Sequence, residues 1–246
     1  MPDVLHLSLA ACMFLGAALY SSVGHAGASA YIALMALFSV PPSVMRPTAL
    51  TLNILVASFA SYRYARAGYF RWRVVWPFLL GSLPFAFIGG GVQLPSEYYR
   101  AIVGIVLILS GLRMFWAAHI YAAREVHDPP IWLGILLGIG IGFLSGLTGT
   151  GGGIFLSPVI IFLAWSDLRT TSGIASVFIF GNSIAGLLGN LAMVRSLPSE
   201  LPMYIVAVML GALVGTAFGT KFSVIYIRRA LGVVLIVAGL KLIGVY

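Results

Sequence analysis

Charge is what this 246-residue chain has least of. Asp, Glu, Lys and Arg together make up 8% of it, against about 25% in soluble domains. With 61% hydrophobic residues, 29 glycines and a mean hydropathy of +1.05, this scarcity excludes both a water-soluble enzyme and a disordered chain. Cysteine is nearly absent. Cys12, inside an apolar run, is the single one, so no internal disulfide and no cysteine metal cage can form. Acidic residues are missing from the depth of every apolar stretch: Asp3, Glu97, Glu125, Asp128, Asp167 and Glu200 fall in gaps or at ends. A cation pump or a carboxylate proton relay would need them there. Met1 to Val4 carries Asp3 and no Lys or Arg, a poor signal peptide, so the first apolar stretch is expected to remain in the mature protein.

The chain instead holds recurrent apolar segments, and the fold class expected is an all-α polytopic membrane protein. Six segments match one bilayer crossing each: Pro47 to Ala65, Val74 to Val92, Arg100 to Ala118, Thr171 to Val194, Pro202 to Thr220 and Ala230 to Tyr246. Two longer ones, Leu5 to Phe38 and Ile131 to Ala164, have 34 residues each. As straight helices these would reach roughly 50 Å, too long for a hydrocarbon core of about 30 Å and too short for two full crossings. Glycine and hydroxyl residues crowd their middles, so each reads as two short helices broken at membrane depth, as in a re-entrant hairpin.

The two halves repeat. Gly104 to Arg113 matches Gly232 to Lys241 without a gap, Leu80-Gly81 with Gly89 matches Leu210-Gly211 with Gly219, and the broken segments align at Ser21 with Ser145 and Gly27 with Gly151. Residues 1–118 form the first half, 119–130 a linker expected to be cytoplasmic, and 131–246 the second half. Such duplication is the usual construction of a transporter.

The net charge of +8 and pI near 9.9 come from 14 Lys and Arg scattered between apolar spans, which sets membrane orientation rather than nucleic-acid binding. If each broken segment returns to its starting side, Arg63, Arg66, Arg71, Arg73, Arg113, Arg124, Arg169, Lys221, Arg228 and Arg229 share one side, opposite Arg46, Arg100, Arg195 and Lys241. If each crosses once, the split is eight to six. The first distribution meets the positive-inside bias better and favours inverted repeats with both ends outside.

Broken helices at bilayer depth must line protein or a cavity, because unsatisfied amides are costly in lipid. A helix that restarts there presents free N–H groups and a partial positive charge, which suits an anion. The candidate binding residues are Gly24, His25, Gly27 and Ser29 in the first tip. In the second they are Ser145, Thr148, Gly149, Thr150, Gly151, Gly152 and Gly153. Thr48 and Asn53, and their parallels Ser176 and Asn182, lie on the helices that follow, with Ser58 and Ser183 nearby. Arg46 and Arg169 stand at two entrances, Arg46-Pro47-Thr48 opening one helix and Asp167 to Ser172 the other. Each has a plainer reading: glycines as packing surfaces and amides as helix joints, His25 as a neutral bridging group, and the arginines as snorkelling anchors. No metal cluster and no catalytic constellation stands out, so neither an enzyme nor a cofactor is expected.

At Ser145-Gly-Leu-Thr-Gly-Thr-Gly-Gly-Gly153, at Ala175-Ser176-Val-Phe-Ile-Phe-Gly-Asn182-Ser183-Ile-Ala-Gly186 and at the paired Gly-x6-Gly-Leu-Arg/Lys endings, the chain resembles the TauE/SafE sulfite exporter family over nearly its whole length. The first half carries Ser22-Val-Gly24-His25-Ala-Gly27-Ala-Ser29 where the family has a triple glycine. The resemblance implies an inner-membrane permease of a bacterial cell for sulfite, a sulfonate or a related anion, most simply an exporter with its ligand held at mid-membrane between the tips. The partners implied are a small anion and the lipid bilayer, without nucleic acid. An anion channel and a permease for another small organic anion remain as alternatives, and homo-oligomerisation stays open.

Overall fold

The computed structural model describes residues 4–22, 27–116, 126–191, 197–218 and 224–244. Among the described residues there are ten helices and no strand: α1 (Val4–Ser22), α2 (Ala28–Leu37), α3 (Pro42–Arg66), α4 (Trp72–Gly91), α5 (Ser96–Trp116), α6 (Ile131–Thr148), α7 (Gly153–Phe162), α8 (Leu168–Leu191), α9 (Leu201–Phe218) and α10 (Val224–Ile243). Six of them are long and apolar enough to cross a membrane. The protein is an all-α polytopic membrane protein. The described part of every segment expected to cross once is a single helix; the second 34-residue segment is interrupted between Thr148 and Gly153, and in the first Gly27 stands just outside the start of α2.

The start of α3 differs from expectation. It opens at Pro42, not at Pro47. Pro41 supplies the carbonyl that accepts the N–H groups of Val44 and Met45 at 3.0 and 3.1 Å, and Pro42 takes the first helical position, which its fixed φ suits. Pro47 then lies inside the helix, where it forgoes one backbone bond. Arg46 is consequently a residue of α3 rather than of a loop ahead of it.

The chain divides into two compact units, and each draws on both sequence halves. The first comprises Met1–Leu52, Leu94–His119 and Leu197–Tyr246, the second Asn53–Gln93 and Ile120–Ser196.

In the second unit, glycines show how the helices run. A side chain at Gly81 would strike the Ile135 carbonyl, and one at Gly89 the Phe143 carbonyl. From the other side, Gly142 abuts the Ser82 carbonyl and Gly146 that of Ala86. Numbers rise together, so α4 and α6 are parallel. Phe78 against Phe178, Gly181 against Leu79 and Leu83, and Gly189 against Phe87 make α8 parallel to α4 as well. In lipid, where burial of apolar surface does not drive helices together, such close backbone approach supplies the packing. Since α6 and α8 run the same way, α7 must run back between them. The His127 N–H donates to the Ala164 carbonyl at 3.1 Å, so the open ends of the α6/α7 hairpin meet. At 1.5 Å per residue α6 is about 27 Å long and α7 about 15 Å, half a crossing.

An apolar cluster of Val74, Val75, Phe78, Leu156, Ile160, Trp165, Ile174 and Phe178 fills this unit, the Phe78 ring lying 5.9 Å from Trp165 and 6.5 Å from Phe178. At the hairpin's open end the Arg71 guanidinium donates to Asp128 at 2.6 Å and to the Trp165 carbonyl at 3.4 Å. Gly173, early in α8, abuts the Tyr69 carbonyl just beyond α3, so Arg63, Arg66, Arg71, Arg73 and Arg169 all sit at that same end.

In the first unit α1 and α9 are parallel, Gly211 facing the Phe14 carbonyl and Gly215 that of Ala18. α5 and α10 are antiparallel. A Cβ on Gly104 would lie 2.8 Å from the Gly239 carbonyl and one on Gly239 2.6 Å from the Gly104 carbonyl; Gly111 and Gly232 stand in the same reciprocal relation at 2.7 and 3.0 Å. Lys241 donates to the Leu37 carbonyl at 2.5 Å and to Ser39 at 3.0 Å, tying α10 to the end of α2.

Candidate functional site: the glycine turn between α6 and α7

α6 ends where Gly149, at φ 82°, donates its N–H to the Ser145 carbonyl at 2.9 Å, a left-handed C-cap. Gly151 and Gly152 follow at φ 74° and 79°. Three left-handed residues in four require glycine, the one residue without a Cβ to clash there. α7 then begins, with Phe155 and Leu156 donating to the Gly152 carbonyl at 3.0 and 3.1 Å. The N–H groups of Gly151, Gly152 and Gly153 precede those bonds, and those of Gly152 and Gly153, at the N-cap and first helical position, are among the donors a helix start leaves without an intrahelical acceptor.

Three helices ring the turn. A Cβ on Gly151 would lie 2.8 Å from Ile179 Cγ2, 3.1 Å from Asn53 Nδ2 and 3.1 Å from Ser183 Oγ; one on Gly152 would lie 2.8 Å from Phe178, 3.2 Å from Ile141 and 3.2 Å from Ser145 Cβ. Ser145, Ser183 and Asn53 lie respectively 14, 15 and 13 residues from the arginine-rich ends of α6, α8 and α3. Each count puts the turn about 20 Å from that end, deep inside a core of about 30 Å.

Asn53, Ser145, Asn182 and Ser183 are fully buried. Asn53 Nδ2 donates to the Gly149 carbonyl at 3.4 Å and Asn182 Nδ2 to the Phe178 carbonyl at 2.9 Å. Among the described residues, both Oδ1 atoms and both serine hydroxyls meet no partner. An unmet buried polar group costs about 1–3 kcal/mol, so four on the faces around one turn are not explained by packing. The α4/α6 glycines meet neighbouring backbone, as packing glycines do. Gly151 and Gly152 meet side chains, three of them from polar residues.

Not every expected residue is available. The Thr148 hydroxyl donates to the Leu144 carbonyl at 2.6 Å and lies 2.9 Å from that of Thr150, so the two threonines satisfy each other and the helix end. The Ser176 hydroxyl donates to the Ser172 carbonyl at 2.6 Å. Ser58 is exposed and donates to the Leu55 carbonyl. Gly27, Ser29, Arg46 and Thr48 belong to the first unit. There Ser29 lies 2.7 Å from the Tyr20 hydroxyl, Gly27 faces that of Tyr31, Thr48 is buried with an unmet hydroxyl, and Arg46, 7% exposed, stacks 5.2 Å over the Tyr99 ring. Gly24 and His25 lie outside the described residues. Arg169 is exposed, donating to the Tyr69 hydroxyl at 3.1 Å over whose ring it stacks. Asp167 Oδ1 accepts the N–H groups of Arg169 and Thr170 at 2.9 and 3.0 Å, capping α8. Burial pushes its carboxyl up, and the bonds from Thr170 and Arg169 outweigh that and hold it below the ordinary range. Among the described residues no group of three His, Cys, Asp or Glu forms a metal site. The sequence pointed at Ser183 only as one of several polar residues on its helix; Ile141, Phe178 and Ile179 carried no signal, being ordinary apolar residues.

With this geometry established, comparison with known proteins assigns the chain to a family. A family model described as Sulfite exporter TauE/SafE matches residues 9–242. The chain belongs to that family. It is 38% identical over 245 residues to a probable membrane transporter protein of Sinorhizobium fredii, covering 98% of this chain and 99% of the relative. Probable membrane transporter proteins of Bacillus subtilis (26% over 255 residues; 94% and 96% covered) and Methanocaldococcus jannaschii (26% over 220 residues; 82% and 80% covered) are more distant. No solved structure matches. The protein is therefore an integral, multi-pass membrane transporter of the TauE/SafE family.

Proposed function

We propose that this transporter is a permease for small sulfur-containing anions, sulfite or an organosulfonate, exported across the inner membrane, and that the glycine turn between α6 and α7 is where the anion sits. The observation that carries this reading is the turn itself: N–H donors at a helix start, with the Ser145 and Ser183 hydroxyls, buried and unmet beside them. The partial positive charge of the α7 N-terminus favours an anion, and the low-dielectric surroundings strengthen that attraction. No carboxylate among the described residues lies near the turn to repel it.

The direction follows from charge. With the arginine-rich end cytoplasmic, an inside-negative potential drives each exported negative charge by about 2.3 kcal/mol per 100 mV, so no coupling ion is required. The contacts of Gly104 with Gly239 and of Gly111 with Gly232 support an inverted repeat, because the sequence repeat equates Gly104 with Gly232 and Gly111 with Gly239, so that a two-fold axis perpendicular to these antiparallel helices turns one contact into the other. Such repeats suit alternating access by rocking.

Purified protein in liposomes should carry saturable sulfite or sulfonate flux. Ser183→Ala should lower it about tenfold, the loss of one charge-assisted hydrogen bond, and Gly151→Val should abolish it. Absence of flux, or unchanged flux in both variants, would reject the site; flux that does not saturate would replace the permease with a channel.

A further inference from the structure

The two asparagines at the site fix their own orientation. An amide can usually be turned over, exchanging its oxygen and nitrogen. Here it cannot. Asn53 points one amide atom at the Gly149 carbonyl and Asn182 one at the Phe178 carbonyl. A carbonyl only accepts, so the atom facing it must be Nδ2 in both. The atom left over is Oδ1 in both, and both are buried without a partner. The site therefore combines donors, at the start of α7, with two acceptors that cannot become donors.

A fully deprotonated oxyanion fits this set badly. Its oxygens would meet the N–H groups well but would leave both Oδ1 atoms unmet or facing like charge. Resting on the reading of the glycine turn as the anion site, we propose that it selects a singly charged anion that carries a hydrogen-bond donor of its own, hydrogensulfite rather than the sulfite dianion or a simple alkylsulfonate. The donor of the anion meets Oδ1 of Asn53 or Asn182, while its charged oxygens face the N–H groups of Gly151 to Gly153 and the hydroxyls of Ser145 and Ser183.

No described side chain around the turn is ionisable. The described side chains around the turn, from α3, α6 and α8, are Asn, Ser, Ile and Phe. The ionisable residues on the helices packed there are Arg46, Arg63, Arg66, Tyr62 and Tyr64 of α3, Arg73 of α4 and Arg169 of α8. None is a histidine, a cysteine or a carboxylate.

The experiment measures flux of sulfite and of methanesulfonate into proteoliposomes across the neutral range in which hydrogensulfite loses its proton. Methanesulfonate keeps a single charge throughout and has no donor. Sulfite flux at limiting concentration is expected to follow the protonated fraction, falling about tenfold per pH unit above that ionisation, while methanesulfonate flux stays flat and at least about tenfold below that of hydrogensulfite. Asn182→Leu, and Asn182→Ala if the first does not fold, should bring the ratio of the two substrates towards one. Sulfite flux that rises with the dianion, methanesulfonate carried as well as hydrogensulfite, or an unaltered ratio in the Asn182 variant would overturn this selectivity and leave the site standing. Loss of every flux, or flux indifferent to Gly151→Val, would overturn the site as well.

Discussion

A methyl group at position 151 meets two obstacles at once. The residue sits at φ 74°, which costs an L-residue about 1–2 kcal/mol, and the methyl would press 2.8 Å from Ile179. Gly151→Ala should therefore lower both the melting temperature in detergent and the flux. Gly140→Ala, facing open space within α6, should change neither, which thermal melts of the two variants side by side would check. Asp167 offers a second test. Its carboxyl is held below the ordinary range, so its capping contribution is complete above the unfolded carboxylate pKa and fades as the pH falls through the lower folded value. Asp167→Ala should cost about 0.5–2 kcal/mol at neutral pH, and its deficit against wild type should shrink on acidification below about pH 4. At this scale the sequence was legible in part. Residue type singled out Asn53, Asn182 and the glycines, because amides and bare backbone are unusual at bilayer depth. It did not separate the unmet Ser145 and Ser183 from Thr148 and Ser176, which are spent on carbonyls one turn back, or from Thr150, which is spent on the Thr148 hydroxyl. That distinction depends on where each hydroxyl finds an acceptor in space.

The break between α6 and α7 was readable from length together with the central glycines, since 34 apolar residues fit neither one crossing nor two; that only α7 is short, α6 being long enough to cross by itself, was not. Nor was the partner of α6. It lies against α4 because Gly138, Gly142 and Gly146 on α6 and Gly81 and Gly89 on α4 present flat faces that meet the other's backbone. A stripe of small residues says that a helix is approached closely without saying by which. Gly146→Leu, driven into the Ala86 carbonyl, should separate these helices and abolish a monodisperse peak in size-exclusion chromatography. Leu136→Ala, on an exposed position of α6, should leave the peak intact. The early start of α3 was illegible for a similar reason. Two proline positions five residues apart both suit a helix opening, and the choice falls to Pro42 through bonds made by the Pro41 carbonyl.

Across the whole chain, the matching Gly104/Gly239 and Gly111/Gly232 contacts bear on topology. Single cysteines placed at Arg71 and Arg169 in a Cys12→Ser background should react with membrane-impermeant reagents only from the cytoplasmic side, and cysteines at Arg100 and Lys241 only from outside. Labelling of Arg71 and Lys241 positions from the same side would reject inverted repeats. The repeat was visible in the aligned glycines, yet the way the halves interlace was not: α4 of the first half settles with α6 and α8, and α9 of the second with α1. That exchange makes each half a poor tenant on its own. Severed within residues 119–130 and translated as separate messages, the pieces should be degraded when produced singly and rescue one another when produced together, each furnishing the groove into which a helix of the other settles.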